Sequence, residues 1–452
     1  MKITMPYGNG VLTSEVPDRT QTVKSSWTPE KLAPVKDVEA EIKRALSAPL
    51  DSKPIPELVK SGSKVTIAFD DPTVLCFAPV RPIAVRLILE QLKNAGVKKK
   101  DIFLVCASAL HRRWTKKEMA SVIGGDVVNE FAYQVFSHDA EDKDNLTYFG
   151  TTENGYDVEV NRLVNDSDLL IYVNATTLRG LTGGWKSVCV GLSTFKSIRW
   201  HHHPDGLSAK VHDNPMHNIL DEMGNFLESK IGKGRIFKIE TVLSTPFEVH
   251  KVFAGSVNGA RQEVIKILLK EAPKQEQKYD VVLYGVPSYS PYAAFATMNP
   301  ILTLLSTGLG YMGGINEKIG KKGCTTILAT PCPDEWDDVH HAPYREVWDR
   351  VLAFTKDPYQ IQDQFEEEFA NRADYLYKYR FCNSFHPTHG LMACYPLRRM
   401  KHIGRVMVAA PKEPELIKHA GFVPVQTVED AIKNAEDIHG KDCAIAYVNY
   451  MP

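Results

Sequence analysis

Short apolar runs bounded by turn residues alternate with longer amphipathic stretches along most of the chain. Val65–Phe69 predicts a strand, Arg81–Ala95 a helix that Gly96 ends, Ile102–Ala107 a strand and Lys116–Ile123 a helix. Asp168–Asn174, with its Leu-Leu-Ile-Tyr-Val run, is the strongest strand signal. Continuous apolar runs of this length indicate strands covered on both faces, as in parallel sheets. Asn214–Ser229 predicts a helix with Asp213 as N-cap and Pro215 in its first turn. Arg235–Leu243 and Lys251–Ala254 read as strands, and Val264–Glu271 as a helix.

The segment Ala272–Lys278 has no apolar residue after Pro273 and reads as a linker. A second series follows it: strand Tyr279–Gly285, helix Ile301–Thr307, strand Thr325–Thr330 and acidic helices from Tyr344 to Tyr379. Strand Arg405–Ala410, helix Val428–Ala435 and strand Ala444–Tyr450 close the chain. Repeated strand–helix alternation on both sides of a linker predicts two α/β domains with mostly parallel sheets, over residues 1–273 and 274–452. The active site is expected in a cleft between the domains, past the carboxyl ends of strands.

Composition narrows the function classes. The 452 residues carry 54 Lys+Arg against 55 Asp+Glu, a formal net charge of −1, which argues against a general nucleic-acid binder. No apolar run is long enough to span a bilayer. Met1–Leu12 is polar and Gly-rich and lacks the pattern of a secretory signal, so a cytoplasmic location is expected. The eight cysteines include no C-x-x-C pair and several sit in apolar runs, which reads as buried free thiols.

Four places put polar groups directly after a predicted strand or close to one. Asp71 and Thr73 follow Val65–Phe69 in a turn stiffened by Pro72, where they can orient a ribose or a metal-bound group; an Asx-type turn is the bland alternative. His111 follows Ile102–Ala107, and its ordinary pKa suits a general base. Asn174–Ser187 contains Thr182-Gly183-Gly184-Trp185-Lys186, in which glycines allow close approach of a ligand and a helix start favours phosphate. A P-loop is excluded, because Trp185 stands where its last glycine must be. Finally, His201, His202, His203, His212 and His217 fall within seventeen residues, and imidazole suits nickel, zinc, copper or iron.

Taken together, Pro6-Tyr7-Gly8, Asp71-x-Thr73, Leu110-His111-Arg112, Gly180-x-x-Gly-Gly-x-Lys186, His201–His203 and Asn214–Met223 resemble the lactate racemase superfamily over most of the chain. These are racemases and epimerases of 2-hydroxy acids that depend on a nickel-pincer nucleotide. The resemblance implies a racemase or epimerase of a 2-hydroxy acid or sugar acid, working by reversible hydride transfer. It implies the cofactor pyridinium-3-thioamide-5-thiocarboxylic acid mononucleotide with Ni(II), attached at Lys186. Asp71, Thr73, Thr182, Gly183 and Gly184 would bind it, His202 would ligate the metal, with His201 and His203 as close rivals, and His111, Lys186 and His202 would be catalytic. Implied partners are a small 2-hydroxy acid and the cofactor-maturation enzymes, with no nucleic acid and no membrane, and a homodimer is compatible with this. The alternatives are a non-racemising redox or metal-dependent enzyme, or a cofactor-binding protein without turnover.

The chain departs from the family pattern in three places. Thr176 aligns with the family's second catalytic histidine, Val74 with an arginine, and Pro291–Ile301 lacks a glutamine–lysine pair. Threonine is not a general base at neutral pH. Other groups are therefore expected to meet the substrate: Thr176, Arg179, Tyr292, Asn299, His386 and His389, with Tyr289, Tyr395 and Arg398 as further polar candidates.

Overall fold

The structure is a computed structural model that describes residues 1–24, 32–176, 182–206, 214–270 and 277–450. Its strands are β1 (Lys2–Tyr7), β2 (Gly10–Glu15), β3 (Gln21–Lys24), β4 (Val65–Asp70), β5 (Ile102–Ala107), β6 (Val135–Ser137), β7 (Leu146–Thr151) and β8 (Asp157–Asn161). They continue with β9 (Leu169–Thr176), β10 (Ile236–Thr245), β11 (Glu248–Gly255), β12 (Tyr279–Gly285), β13 (Gly320–Ala329), β14 (Arg405–Ala409), β15 (Val423–Val425) and β16 (Ile445–Asn449). Among the described residues they form two six-stranded sheets and two hairpins.

The first sheet has the order β11-β10-β9-β4-β5-β6, parallel throughout except for the β10–β11 pair. Every residue of β4 and β9 is buried, as continuous apolar runs require in a sheet covered on both faces. The second sheet has the order β15-β14-β13-β12-β16-β3 and is parallel throughout. These two mostly parallel sheets with their helices are the α/β architecture expected from the alternation of runs.

Two compact units divide the chain. The first holds Glu30–His202 and Lys210–Glu271, and the second holds Met1–Pro29, His203–Ala209 and Ala272–Pro452. The division is therefore not a single cut at 273. The amino-terminal hairpin β1–β2 packs Ile3 and Met5 onto Val281, Leu283 and Ile327 of the second sheet, and β3 pairs with β16. Local sequence gave no sign of this, because β1 and β2 alternate small polar residues with few apolar ones.

Several boundaries move for physical reasons. The helix expected at Val264 begins at Val257, because Ala260 and Arg261 are buried by tertiary packing rather than by a continuous apolar stripe. The helix expected over Ile301–Thr307 runs to Met312 with wide π-type turns. Helix Pro215–Ile231 is capped by Asn214, whose Oδ1 accepts the His217 N–H at 3.0 Å; Asp213, the expected cap, lies outside the described residues.

That helix carries one glycine that positions the loop of interest. Gly224 lies against the indole of Trp185, which is 1% exposed and donates from Nε1 to Asn258 Oδ1 at 3.0 Å. A Cβ at 224 would overlap the indole ring. In an open helix Gly→Ala stabilises by about 1 kcal/mol. Here Gly224→Ala is expected to destabilise by about 1–3 kcal/mol through overpacking. Urea unfolding checks this: an unchanged or higher midpoint would show that Trp185 yields freely.

Candidate active site

The parallel strands β4, β5, β9 and β10 end at one edge of the first sheet, and their following turns carry the polar groups. After β5 the chain turns sharply: the His111 N–H donates to the Ser108 carbonyl at 2.7 Å, and Ala109 takes φ +51°. A left-handed alanine is strained and is held here by its N–H bond to the Gly191 carbonyl at 2.9 Å. This turn aims the His111 ring at Asp71, with Nδ1 2.7 Å from Oδ2. Asp71 is 2% exposed and also accepts from Trp114 Nε1 at 3.0 Å, from the Thr73 hydroxyl at 2.5 Å and from the Thr73 N–H at 3.1 Å. Burial alone would raise its pKa, but His111, Thr73 and Trp114 hold the carboxyl below its ordinary value. A carboxylate facing Nδ1 selects the tautomer with the proton on Nδ1, which makes Nε2 the basic nitrogen.

The Thr182–Lys186 loop rests on a buried set of charges. Glu240, on β10, has no exposed surface. Its Oε2 accepts the Gly184 N–H at 3.0 Å, and its Oε1 lies 3.2 Å from the Thr176 hydroxyl and 3.3 Å from Arg261 Nη1. Arg261 Nη1 also donates to the Thr182 carbonyl at 2.8 Å. Gly183 and Gly184 have φ +92° and +56°, and a Cβ on Gly183 would collide with Glu240 and Thr176. These glycines are thus required by packing beneath the loop, and the Gly184 N–H is engaged by a carboxylate.

Lys186 opens the short helix Lys186–Cys189, and its Nζ lies 3.7 Å from Met216 Sδ. Burial, and then the nearby Arg261, push its amine down to about 8. Below the loop, Lys238 donates to Ser187 Oγ and lies over the Tyr172 ring at 4.4 Å. Its amine is pushed down to about 8 by burial, against the pull of Glu240 and Asp70. Asp70 accepts from Tyr172 Oη at 3.1 Å, Asn174 Nδ2 at 2.7 Å and the Ala175 N–H at 2.8 Å.

Of the histidine cluster, His201 is fully buried, and its Nδ1 lies 2.7 Å from His202 Nδ1. That contact orients the His202 ring, as second partners commonly do for metal-ligating histidines. His203 belongs to the second unit, where burial lowers its pKa. His212 lies outside the described residues, as does Arg179. Among the described residues no three His, Cys, Asp or Glu side chains converge to hold a metal.

Residues 7–211 match the lactate racemase N-terminal domain family. The chain is 22% identical to the lactate racemase of Thermoanaerobacterium thermosaccharolyticum, over 98% of this chain and 96% of that protein. It is 24% identical to the lactate racemase of Lactiplantibacillus plantarum, over 59% of this chain and 61% of that one. The solved lactate racemase apoprotein from T. thermosaccharolyticum has the same fold, with TM-score 0.72, 21% identity and coverage of 99% and 98%. The likeness to lactate racemases thus extends over nearly the whole chain, with the N-terminal domain family matched over residues 7–211.

The second unit gathers a different set of candidates. His389 is 6% exposed; its ring packs on Tyr292 at 4.5 Å and its Nδ1 lies 2.6 Å from Tyr344 Oη. Tyr292 lies 3.0 Å from Tyr311 Oη, and its carbonyl is 2.9 Å from His341 Nε2. His386 has no exposed surface and its Nδ1 lies 2.8 Å from Thr388 Oγ1. Asn299 accepts the Leu302 N–H at 2.9 Å, while its buried Nδ2 makes no hydrogen bond among the described residues. Tyr395 donates to Glu366 at 3.0 Å, and Arg398 pairs with Glu317 at 3.3 Å. These last two have structural partners. The second unit thus joins His389 to Tyr292.

Sequence reading missed Trp114, Lys238, Glu240 and Arg261. Lys238 and Glu240 are charged residues inside the apolar run Ile236–Leu243, and that interruption was the available signal. Arg261 gave none.

One consequence is a pH dependence. The folded-state pKa of Asp71 is lowered, so its contribution to stability is present above the unfolded value and is lost as pH falls through the folded one. The Asp71→Asn penalty measured in urea is therefore expected to be larger at neutral pH than below about pH 3, given an unfolded value of about 3.9. A penalty that does not shrink in acid would count against the charged Asp71–His111 pair.

Proposed function

We propose that this chain is a racemase of a lactate-like 2-hydroxy acid that uses a nickel-pincer nucleotide attached at Lys186. The observation that carries the reading is the Asp71–His111 pair at 2.7 Å, set in the same unit as a lysine whose amine is lowered to about 8. An amine with that value reaches half deprotonation near pH 8, well below an ordinary lysine, and so is a more competent nucleophile for attachment. The left-handed glycines and Thr182 bring the lysine to the strand edge, and His202 is the imidazole that would hold Ni(II). When bound, the group supplies an acceptor for the substrate hydride.

The protein supplies the proton chemistry. His111 Nε2 takes the hydroxyl proton of the 2-hydroxy acid and returns it, while Asp71 stabilises the resulting imidazolium from the Nδ1 side. Trp114 and Thr73 hold Asp71 so that neither ring nor carboxylate reorganises during the transfer. Thr176 does not serve as the opposing base, because its hydroxyl belongs to the Glu240 set.

Co-expression with the cofactor-maturation enzymes tests this reading. Intact mass should show an adduct that maps to Lys186 and is lost in Lys186→Ala. With D- or L-lactate as the probe, chiral chromatography should show interconversion. His111→Asn should keep the adduct and lose roughly 10²-fold or more in turnover. A near-wild-type rate would reject His111 as the base. His202→Ala should lose nickel, whereas His201→Ala and His203→Ala should retain it; full nickel in His202→Ala would reject that ligand.

A further inference from the structure

Arg261 and Glu240 are both nearly or fully buried, and together they touch Thr182, Gly183 and Gly184, just ahead of Lys186. Arg261 is 7% exposed and packs its Cγ, Cδ and Nε against Gly184, so that a Cβ there would stand 3.2 Å from the first two. Its Nη1 holds the Thr182 carbonyl at 2.8 Å. Glu240 faces the same guanidinium at 3.3 Å and, from its other oxygen, holds the Gly184 N–H at 3.0 Å. It also anchors Thr176, the last residue of β9. The pair therefore clamps both ends of Thr182–Gly184 and sets the direction in which the next turn carries Lys186.

We propose that Arg261 and Glu240 are the positioning pair that presents the Lys186 amine for acylation by the cofactor. This rests on the reading of Lys186 as the attachment point. In that step the neutral amine condenses with a thiocarboxylic acid: a C–N bond forms, a C–O bond breaks, one water leaves, and no oxidation state changes. Arg261 is the charged group that acts on Lys186, and from helix Pro215–Ile231 the neighbouring atom is the uncharged Met216 Sδ. Glu240 has two effects of opposite sense. It partly neutralises the Arg261 charge, and it holds the loop in place.

The opposite senses make the test specific. The full chain, expressed without the maturation enzymes, is labelled with acetic anhydride across a pH series, and Lys186 labelling is read by peptide mass spectrometry. Arg261→Gln is expected to raise the labelling midpoint and cut Lys186 labelling at pH 7 by about 3- to 10-fold, since each pKa unit is tenfold in neutral amine. Arg261→Lys, which keeps the charge, should restore the wild-type midpoint. Glu240→Gln should move the midpoint downward, yet on co-expression with the maturation enzymes it should carry less Lys186 adduct than wild type. General loosening of the fold would move both midpoints the same way. Midpoints that shift together, or that stay at the wild-type value in variants with native circular dichroism, overturn the proposal. Were Arg261→Gln not to fold, Glu240→Gln decides alone: a raised or unchanged midpoint overturns the pair. Absence of any adduct on wild-type chain after co-expression overturns the attachment reading itself, a result separate from the labelling midpoints.

Discussion

A carboxylate with no exposed surface must find its hydrogen bonds inside the protein, and the first unit is organised around that requirement at Glu240. Its oxygens are met by a backbone N–H, a hydroxyl and a guanidinium, contributed by Gly184, Thr176 and Arg261. Each of those donors belongs to a different segment. Satisfying one buried charge therefore ties β9, β10, the glycine loop and helix Val257–Lys270 to a common point. Removing one partner would leave a buried group uncompensated, which is far costlier than losing a surface ion pair.

The same edge of the sheet carries a second buried carboxylate with a different use. Asp71 is satisfied by Trp114, Thr73 and His111, and of these only His111 reaches partly into solvent. Strand order places β4 between β9 and β5, so the Glu240–Thr176 set lies on β10 and β9 and the Asp71–His111 pair follows the adjacent strands β4 and β5. Parallel strands make this arrangement available, because they deliver all their following turns to one edge.

Between Asp70 and Glu240 lies Lys238, whose charge is surrounded by opposite ones and by the Tyr172 ring. It bonds Ser187, the residue after Lys186, so the buried network supports the lysine loop from both sides. Thr176 is part of that support. Its hydroxyl faces Glu240. The loop geometry of this chain is thus maintained by a polar network whose members do not need to touch a substrate.

Much of the architecture was legible in the order of residues. Fully buried parallel strands need unbroken apolar runs, and β4, β5, β9 and β12 announce themselves that way. His111, Lys186 and Asp71 could also be named, because each follows such a run within a few residues and carries reactive chemistry. The pairing of Asp71 with His111 could not. Forty residues separate them, and only the parallel register of β4 and β5 brings their turns together. The amino-terminal strands likewise join the second sheet through partners more than 400 residues away, which no local pattern encodes. Glu240 and Arg261 are the extreme case. One is a charge inside a strand and the other a polar residue on a helix, and their importance comes entirely from being buried against the same loop. Periodicity determines which face of an element is covered, but the partner that satisfies a buried charge is decided only when distant segments pack.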